Sequence, residues 1–333
     1  MSNFSAPPLE VRLAGGTMTS LTAIIGFLGN FMLIVVSAKN FASFRKTPFF
    51  LITWQMVVGD IMVILAQLVV AVPITFAGFD VFEDAPTFPF VFAFLDSLGY
   101  FSNMLFAFVL ILNRFFIFCA PPFANSFFFG KRSVLVSLSA TWIYAICQTS
   151  YTTFSGCIKT FIPHKLYFRP SCRTALSNDV ARTLSRFGMY ESYAFPGIMF
   201  VLYIIVLAKI RYDFRYLSSR LQSTKSKTEM RLLIQSILIC GMLQVEVLAF
   251  SFLPKIKAAP TTGLYINLFI GLLSILNATT HPLVLFVFNT DVRLGLLGLF
   301  KKPTAVEHLS TTYSTRTIPP NRVATRRATL MSI

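Results

Sequence analysis

Apolar residues in this chain do not alternate with polar ones at the helical or the strand period; they run on in long blocks. The blocks are Thr17 to Ala38, Pro48 to Gly78, Phe88 to Phe118, Val134 to Ser155, Glu191 to Ala208, Leu232 to Leu253 and Thr261 to Phe288. A soluble amphipathic helix carries a polar stripe at helical spacing, and these blocks lack it. About 20 helical residues cross ~30 Å of hydrocarbon. Six blocks exceed that length, and the fifth, the shortest, can borrow residues on either side. Barrel strands would be segments of about ten residues of alternating polarity, which are not seen. The pattern predicts an all-α fold, a seven-transmembrane helix bundle. Between Asn289 and Phe300, the residues Leu294, Leu296, Leu297 and Phe300 form the apolar side of a short amphipathic helix expected to lie along the membrane after span seven.

The blocks also set the organisation. Residues 1–16 read as a tail ahead of the bundle at 17–300. Residues 301–333 are rich in Thr, Ser and Arg, have no hydrophobic periodicity, and are expected to be a disordered tail. The first 16 residues lack the basic start of a cleavable signal peptide, so the first span is expected to direct insertion itself.

Composition agrees. Only 13% of the 333 residues are charged, 55% are hydrophobic, mean hydropathy is +0.69 and Phe alone occurs 37 times. A soluble chain carries about 25% charged residues, so the solvent here is lipid. The net charge of +16 suggests a nucleic-acid partner only until its positions are read. The basic residues sit in loops beside spans, where they meet anionic headgroups and set topology, so the bilayer, and no nucleic acid, is the expected partner. With the N-terminus outside, 20 Lys and Arg residues, Arg114 included, fall on the inner side and nine on the outer. That bias favours an extracellular N-terminus. The stretch Gly156 to Met189 dissents, since it carries six of the nine. Asn3-Phe4-Ser5 is a glycosylation sequon on the outer side; such triplets are frequent by chance.

Of five cysteines, Cys119, Cys147 and Cys240 lie at or within spans and are expected to be reduced. Cys157 and Cys172 share the long outer loop, in an oxidising compartment. They pair, closing a loop and stabilising it by about 3 kcal/mol, or they stay as two thiols.

A polar side chain inside a membrane is costly, which makes each one a functional candidate. The chain places Asn30, Asp60, Asp96, Asn103, Arg114, Glu246, Asn277 and His281 at or within spans. The plain alternative is helix-to-helix hydrogen bonding that only holds the bundle together.

Taken with their order, these residues resemble a known family. Gly29-Asn30 in span one, Asp60 in span two, Asn113-Arg114-Phe115 at the inner end of span three, Trp142 in span four, Pro196 in span five and His281-Pro282 in span seven resemble rhodopsin-like G-protein-coupled receptors. The Asn-Arg-Phe form, the Phe-rich helices and the Cys-bearing second outer loop look more narrowly like nematode serpentine chemoreceptors of the Srx type. The resemblance runs from about Thr17 to Phe300. It implies a receptor in the plasma membrane, of the sensory cilium in such chemoreceptors, that converts binding of a small-molecule or peptide ligand outside into activation of a heterotrimeric G protein inside.

Carried over residue by residue, the resemblance assigns activation roles to Asn113, Arg114 and Pro282. An acidic residue normally precedes the span-three Arg and holds it at rest; here Asn113 cannot, and Glu229 at the base of span six is a candidate replacement. Pro282 keeps the kink of span seven, but Leu285 stands where the family has Tyr. Asp60, Asn103, Asn277 and His281, with Asn30, align with the family's central sodium pocket. Asn277 and His281, four apart, share a helix face, and Asn103 lies about 16 Å along the helix from Arg114. A buried polar cluster is expected there, with Na⁺ as a candidate ion and no other cofactor or metal. Asp96, about 27 Å from Arg114, aligns with the position where amine receptors pair with an ammonium ligand. It captures a cationic group, or it has an internal partner, or it is protonated. Glu191 and Glu246 are further candidates to face the ligand cavity. The position of the family's span-three Cys is Pro89, so the usual loop-to-helix disulfide cannot form, which favours a Cys157–Cys172 bridge.

The alternative class is a transporter or a ligand-gated channel subunit. Internal repeats with broken helices would mark the first, a polar pore stripe the second, and neither is seen. Three scattered His residues give no metal spacing and no phosphate loop occurs, so an enzyme is not expected.

Overall fold

The computed structural model describes residues 6–44, 47–120, 131–172, 179–216 and 224–300. Among these residues, seven long helices form the predicted bundle. Span one is α1 (Leu9–Lys39), followed by the single turn α2 (Phe41–Phe44). Span two is α3 (Pro48–Ala66), a π-helical turn (Gln67–Ala71) and α4 (Val72–Ala77). Spans three to seven are α5 (Thr87–Cys119), α6 (Lys131–Phe154), α7 (Asp179–Tyr216), α8 (Thr224–Phe252) and α9 (Pro260–Phe288). The short helix α10 (Thr290–Phe300) follows.

Six of these helices are long and apolar enough to cross a membrane. The seventh, α6, has 24 residues but is diluted by Ser, Thr, Tyr and Gln. Its polar groups are bonded locally: Thr141 Oγ1 and Thr152 Oγ1 donate to the carbonyls of Ser137 and Gln148, four residues back. Span five departs most from its predicted bounds, gaining residues at both ends and reaching 38. Hydropathy marks only the apolar part of a helix, whereas backbone bonding continues past the hydrocarbon edge.

The π-helical turn has a local cause. Pro73 lacks an N–H, and its ring would strike the carbonyl of Val69 in a regular helix. The backbone widens just before it, and the N–H of Val72 reaches the carbonyl of Gln67 instead.

Span three is the hub, packed against spans two, four, five and six, while span seven packs on one, two and six. Spans two and three approach so closely that a Cβ on Gly99 would sit 2.5 Å from the backbone oxygen of Gly59. The largest core cluster lies at the Arg114 end of the bundle and includes Phe49, Met56, Phe106, Leu110 and Leu243. Helix α10 packs there with Val292 buried and Leu296 and Leu299 against the core. Leu294 and Leu297, grouped with Leu296 in the sequence reading, point outward instead. Asn289 caps it, its Oδ1 accepting from the N–H groups of Asp291 and Val292.

The far end holds an element that the helical reading did not anticipate. Within the stretch read as one loop, Cys157–Ile162 and Tyr167–Cys172 pair as an antiparallel hairpin, β1 and β2. Leu166, at φ 55°, completes its turn.

Candidate functional site

The hairpin lies across one mouth of the bundle. Phe168 joins Val70, Ala71, Ile74 and Ala93 in one apolar cluster, and Leu166 joins Val11 and Leu268 in another. Asn267 Nδ2 donates to the carbonyl of Lys165 at 2.9 Å, tying the turn to span seven. Cys157 and Cys172 are directly opposite in the register and form a disulfide, the pairing that the sequence left as one of two readings. Beneath the hairpin is a small pocket lined by Gln67, Lys159, Phe168, Phe250, Leu268 and Ser274, among others.

Lys159 points inward from β1 and forms an ion pair with Asp96 of span three. Asp96 is 1% exposed and Lys159 20%, so the carboxylate is dry and its cation comes from the rim. Of the readings open for Asp96, the internal partner is the one the structure contains. Sequence spacing had no means of pairing two residues 63 positions apart.

Glu191 does not reach the cavity as expected. Span four holds it: Tyr144 Oη donates to Oε1 at 2.5 Å and Gln148 Nε2 to Oε2 at 3.1 Å. The seam between spans four and five has taken it because those donors sit one turn apart on α6. Glu246 is 1% exposed, with Ser274 and Asn277 of span seven beside it and Lys159 and Asp96 within electrostatic reach.

In mid-bundle the predicted polar cluster forms in most of its parts. Asp60 accepts from Asn103 Nδ2 at 2.7 Å through Oδ1, and its Oδ2 meets His281 Nδ1. All three are buried. Asn30 Nδ2 donates to the carbonyls of Gly26 at 2.9 Å and of Ala278 at 3.0 Å. The second bond follows from Pro282: lacking an N–H, it leaves the carbonyl four residues back, that of Ala278, without its helical donor, and Asn30 supplies one. Asn277 is the member that turns away, toward Glu246.

The donors do not fit a Na⁺ ion in this arrangement. Each Asp60 oxygen is already engaged by a nitrogen, and imidazole is a poor sodium ligand beside oxygen donors. No group of three or more His, Cys, Asp or Glu residues with metal-ligand geometry occurs among the described residues.

At the opposite end Arg114 is 1% exposed, its guanidinium 5.2 Å from the ring centroid of Phe49. Asn113 is buried with neither amide atom bonded among the described residues. Glu229 lies in α8, but its side chain is outside the described residues, as are Asn3 and the tail 301–333. Two supports escaped the sequence reading. Trp142 Nε1 donates to Gln55 Oε1 at 2.8 Å, and Gln244 Nε2 to the carbonyl of Pro196 at 2.7 Å; each locks span four or six to a neighbour.

Comparison with known proteins sets this geometry in a family. The sequence model for "Serpentine type 7TM GPCR chemoreceptor Srx" matches residues 21–289. The crystal structure of squid rhodopsin superposes with a TM-score of 0.70 at 15% identity, covering 95% of this chain and 94% of that one, a likeness of fold. A comparison with curated protein sequences finds no match. With its matched region running from within the first helix to the end of the seventh, the chain belongs to the Srx family of serpentine seven-transmembrane G-protein-coupled chemoreceptors.

Proposed function

We propose that this multi-pass membrane receptor binds its ligand beneath the hairpin and passes the signal along span three to Arg114, where a heterotrimeric G protein docks. One observation carries the reading: Asp96 and Arg114, both buried, stand at the two ends of one helix, 18 residues and about 27 Å apart. The hairpin side faces outward in this reading, with the N-terminus extracellular, which the charge bias and the oxidised cysteine pair support. The membrane is the plasma membrane, of a sensory cilium where the cell has one. A ligand that prefers the active packing shifts the population toward it. The test is ligand-evoked second messenger in a heterologous cell that Arg114→Ala abolishes, with an N-terminal epitope stained without permeabilisation. Current or uptake that needs no G protein overturns it in favour of a channel or transporter.

Two internal roles belong to the same reading. Glu229 latches Arg114 at rest in place of the acidic residue that Asn113 replaces, so Glu229→Gln raises basal signalling; unchanged basal signalling removes the latch. At mid-bundle the His281 imidazole, rather than Na⁺, completes the Asp60 cluster. Ligand affinity is then the same in sodium and choline chloride, and a difference between the two restores the ion.

A further inference from the structure

Among the described residues, four carboxylates are buried in the bundle: Asp60, Asp96, Glu191 and Glu246. Three have close partners of their own. Asp60 meets His281 and Asn103, Asp96 meets Lys159, and Glu191 accepts from Tyr144 and Gln148. Glu246 is only partly satisfied: Ser274 and Asn277 lie beside it, but at 1% exposure its Oε2 has no hydrogen-bond partner among the described residues.

The position of Glu246 gives that vacancy a use. It lies one helical turn from Phe250, on the same face of α8, and Ser274 of span seven lies beside it. Phe250, Ser274 and Lys159 all line the cavity beneath the hairpin. The cavity walls are otherwise mostly apolar. Behind this lining lie the buried carboxylates of Asp96, bonded to Lys159, and of Glu246, beside Ser274. A buried carboxylate calls for a cation or for hydrogen-bond donors; among the described residues no donor reaches Glu246 Oε2, and Lys159, the cation within electrostatic reach, is bonded to Asp96.

We infer that Glu246 is the ligand's anchor and that the ligand class is a small ammonium compound with an apolar body. The ammonium sits on Glu246, with the Ser274 hydroxyl and the Asn277 carbonyl oxygen as further acceptors. The body packs against Phe250, Phe168 and Leu268. Cation capture thus moves from Asp96, whose place is taken by the tethered lysine, to span six. This rests on the receptor reading and deepens it by naming the ligand class.

The test uses purified full-length receptor in lipid nanodiscs and a matched probe set: hexylammonium against hexanol, and phenethylammonium against 2-phenylethanol. The amine of each pair is expected to raise the melting temperature more than its alcohol. Glu246→Gln is expected to weaken the apparent affinity for the amines at least tenfold and leave the alcohols unchanged. Should Glu246→Gln not fold, Glu246→Asp, which withdraws the carboxylate by one methylene, is expected to show the same selective loss. Equal response to amine and alcohol, or an amine preference that survives both substitutions, overturns the inference. Arg114-dependent basal nucleotide exchange on added G protein is read on the same nanodiscs without amine. A receptor that passes this control and ignores amines disproves the ligand class alone.

Discussion

Lys159→Met strikes the contact that fastens the hairpin to the bundle. It removes the ammonium, keeps most of the apolar stem, and leaves Asp96 ionised at 1% exposure with no cation in contact. At an effective dielectric of ~20 and a separation of roughly 4 Å, a pair of unit charges interacts by about 4 kcal/mol. Breaking a buried pair from one side costs about 3–5 kcal/mol. Asp96→Asn is the milder lesion, about 1–2 kcal/mol, because Lys159 at 20% exposure can swing its head toward water. The double variant Asp96→Asn/Lys159→Met carries no stranded charge and should regain most of the loss, for a coupling of about 3 kcal/mol or more. Unfolding by SDS titration in mixed micelles measures all four corners of the cycle. Additivity within ~0.5 kcal/mol, or an Asp96→Asn that is worse than Lys159→Met, refutes the reasoning.

Three further outcomes are expected. Cys157→Ser opens a disulfide spanning 15 positions and loosens the hairpin by about 3 kcal/mol, read as faster proteolysis between Cys157 and Cys172. Gly99→Ala places a Cβ 2.5 Å from the Gly59 carbonyl and destabilises by about 1–3 kcal/mol, whereas Gly241→Ala, with nothing within 4 Å of its Cβ, stabilises by about 0.4–1 kcal/mol; paired thermal melts decide between them. Asn30→Ala strips the Ala278 carbonyl of the donor that replaces the one Pro282 lacks and costs on the order of 1–2 kcal/mol, a loss that Pro282→Ala in the same chain should largely reverse.

The seven helices were legible in the chain because lipid imposes a crude and long-range demand. A block of apolar residues that must satisfy its own backbone can only be a helix, and no tertiary detail is needed to see it. Charge placement and the motifs around Asn30, Asp60, Arg114 and Pro282 go one step further, since each is tied to a particular span. The cluster of Asp60, Asn103 and His281 was foreseeable on that basis. What the sequence could not settle is which polar partner each buried group takes. That choice depends on helix rotation and on segments far apart in the chain. Lys159 reaches Asp96 only because β1 and β2 fold back across the bundle mouth, and a hairpin of six-residue strands is a weak signal inside a loop of mixed polarity. Glu191 is drawn to span four by Tyr144 and Gln148, and Asn277 turns from His281 to Glu246, through small rotations that no spacing rule contains. The sequence by itself therefore determined the fold class, the family and the list of buried polar residues. Tertiary structure decided which of them are already satisfied, and among the described buried carboxylates it left Glu246 with an oxygen, Oε2, that lacks a partner.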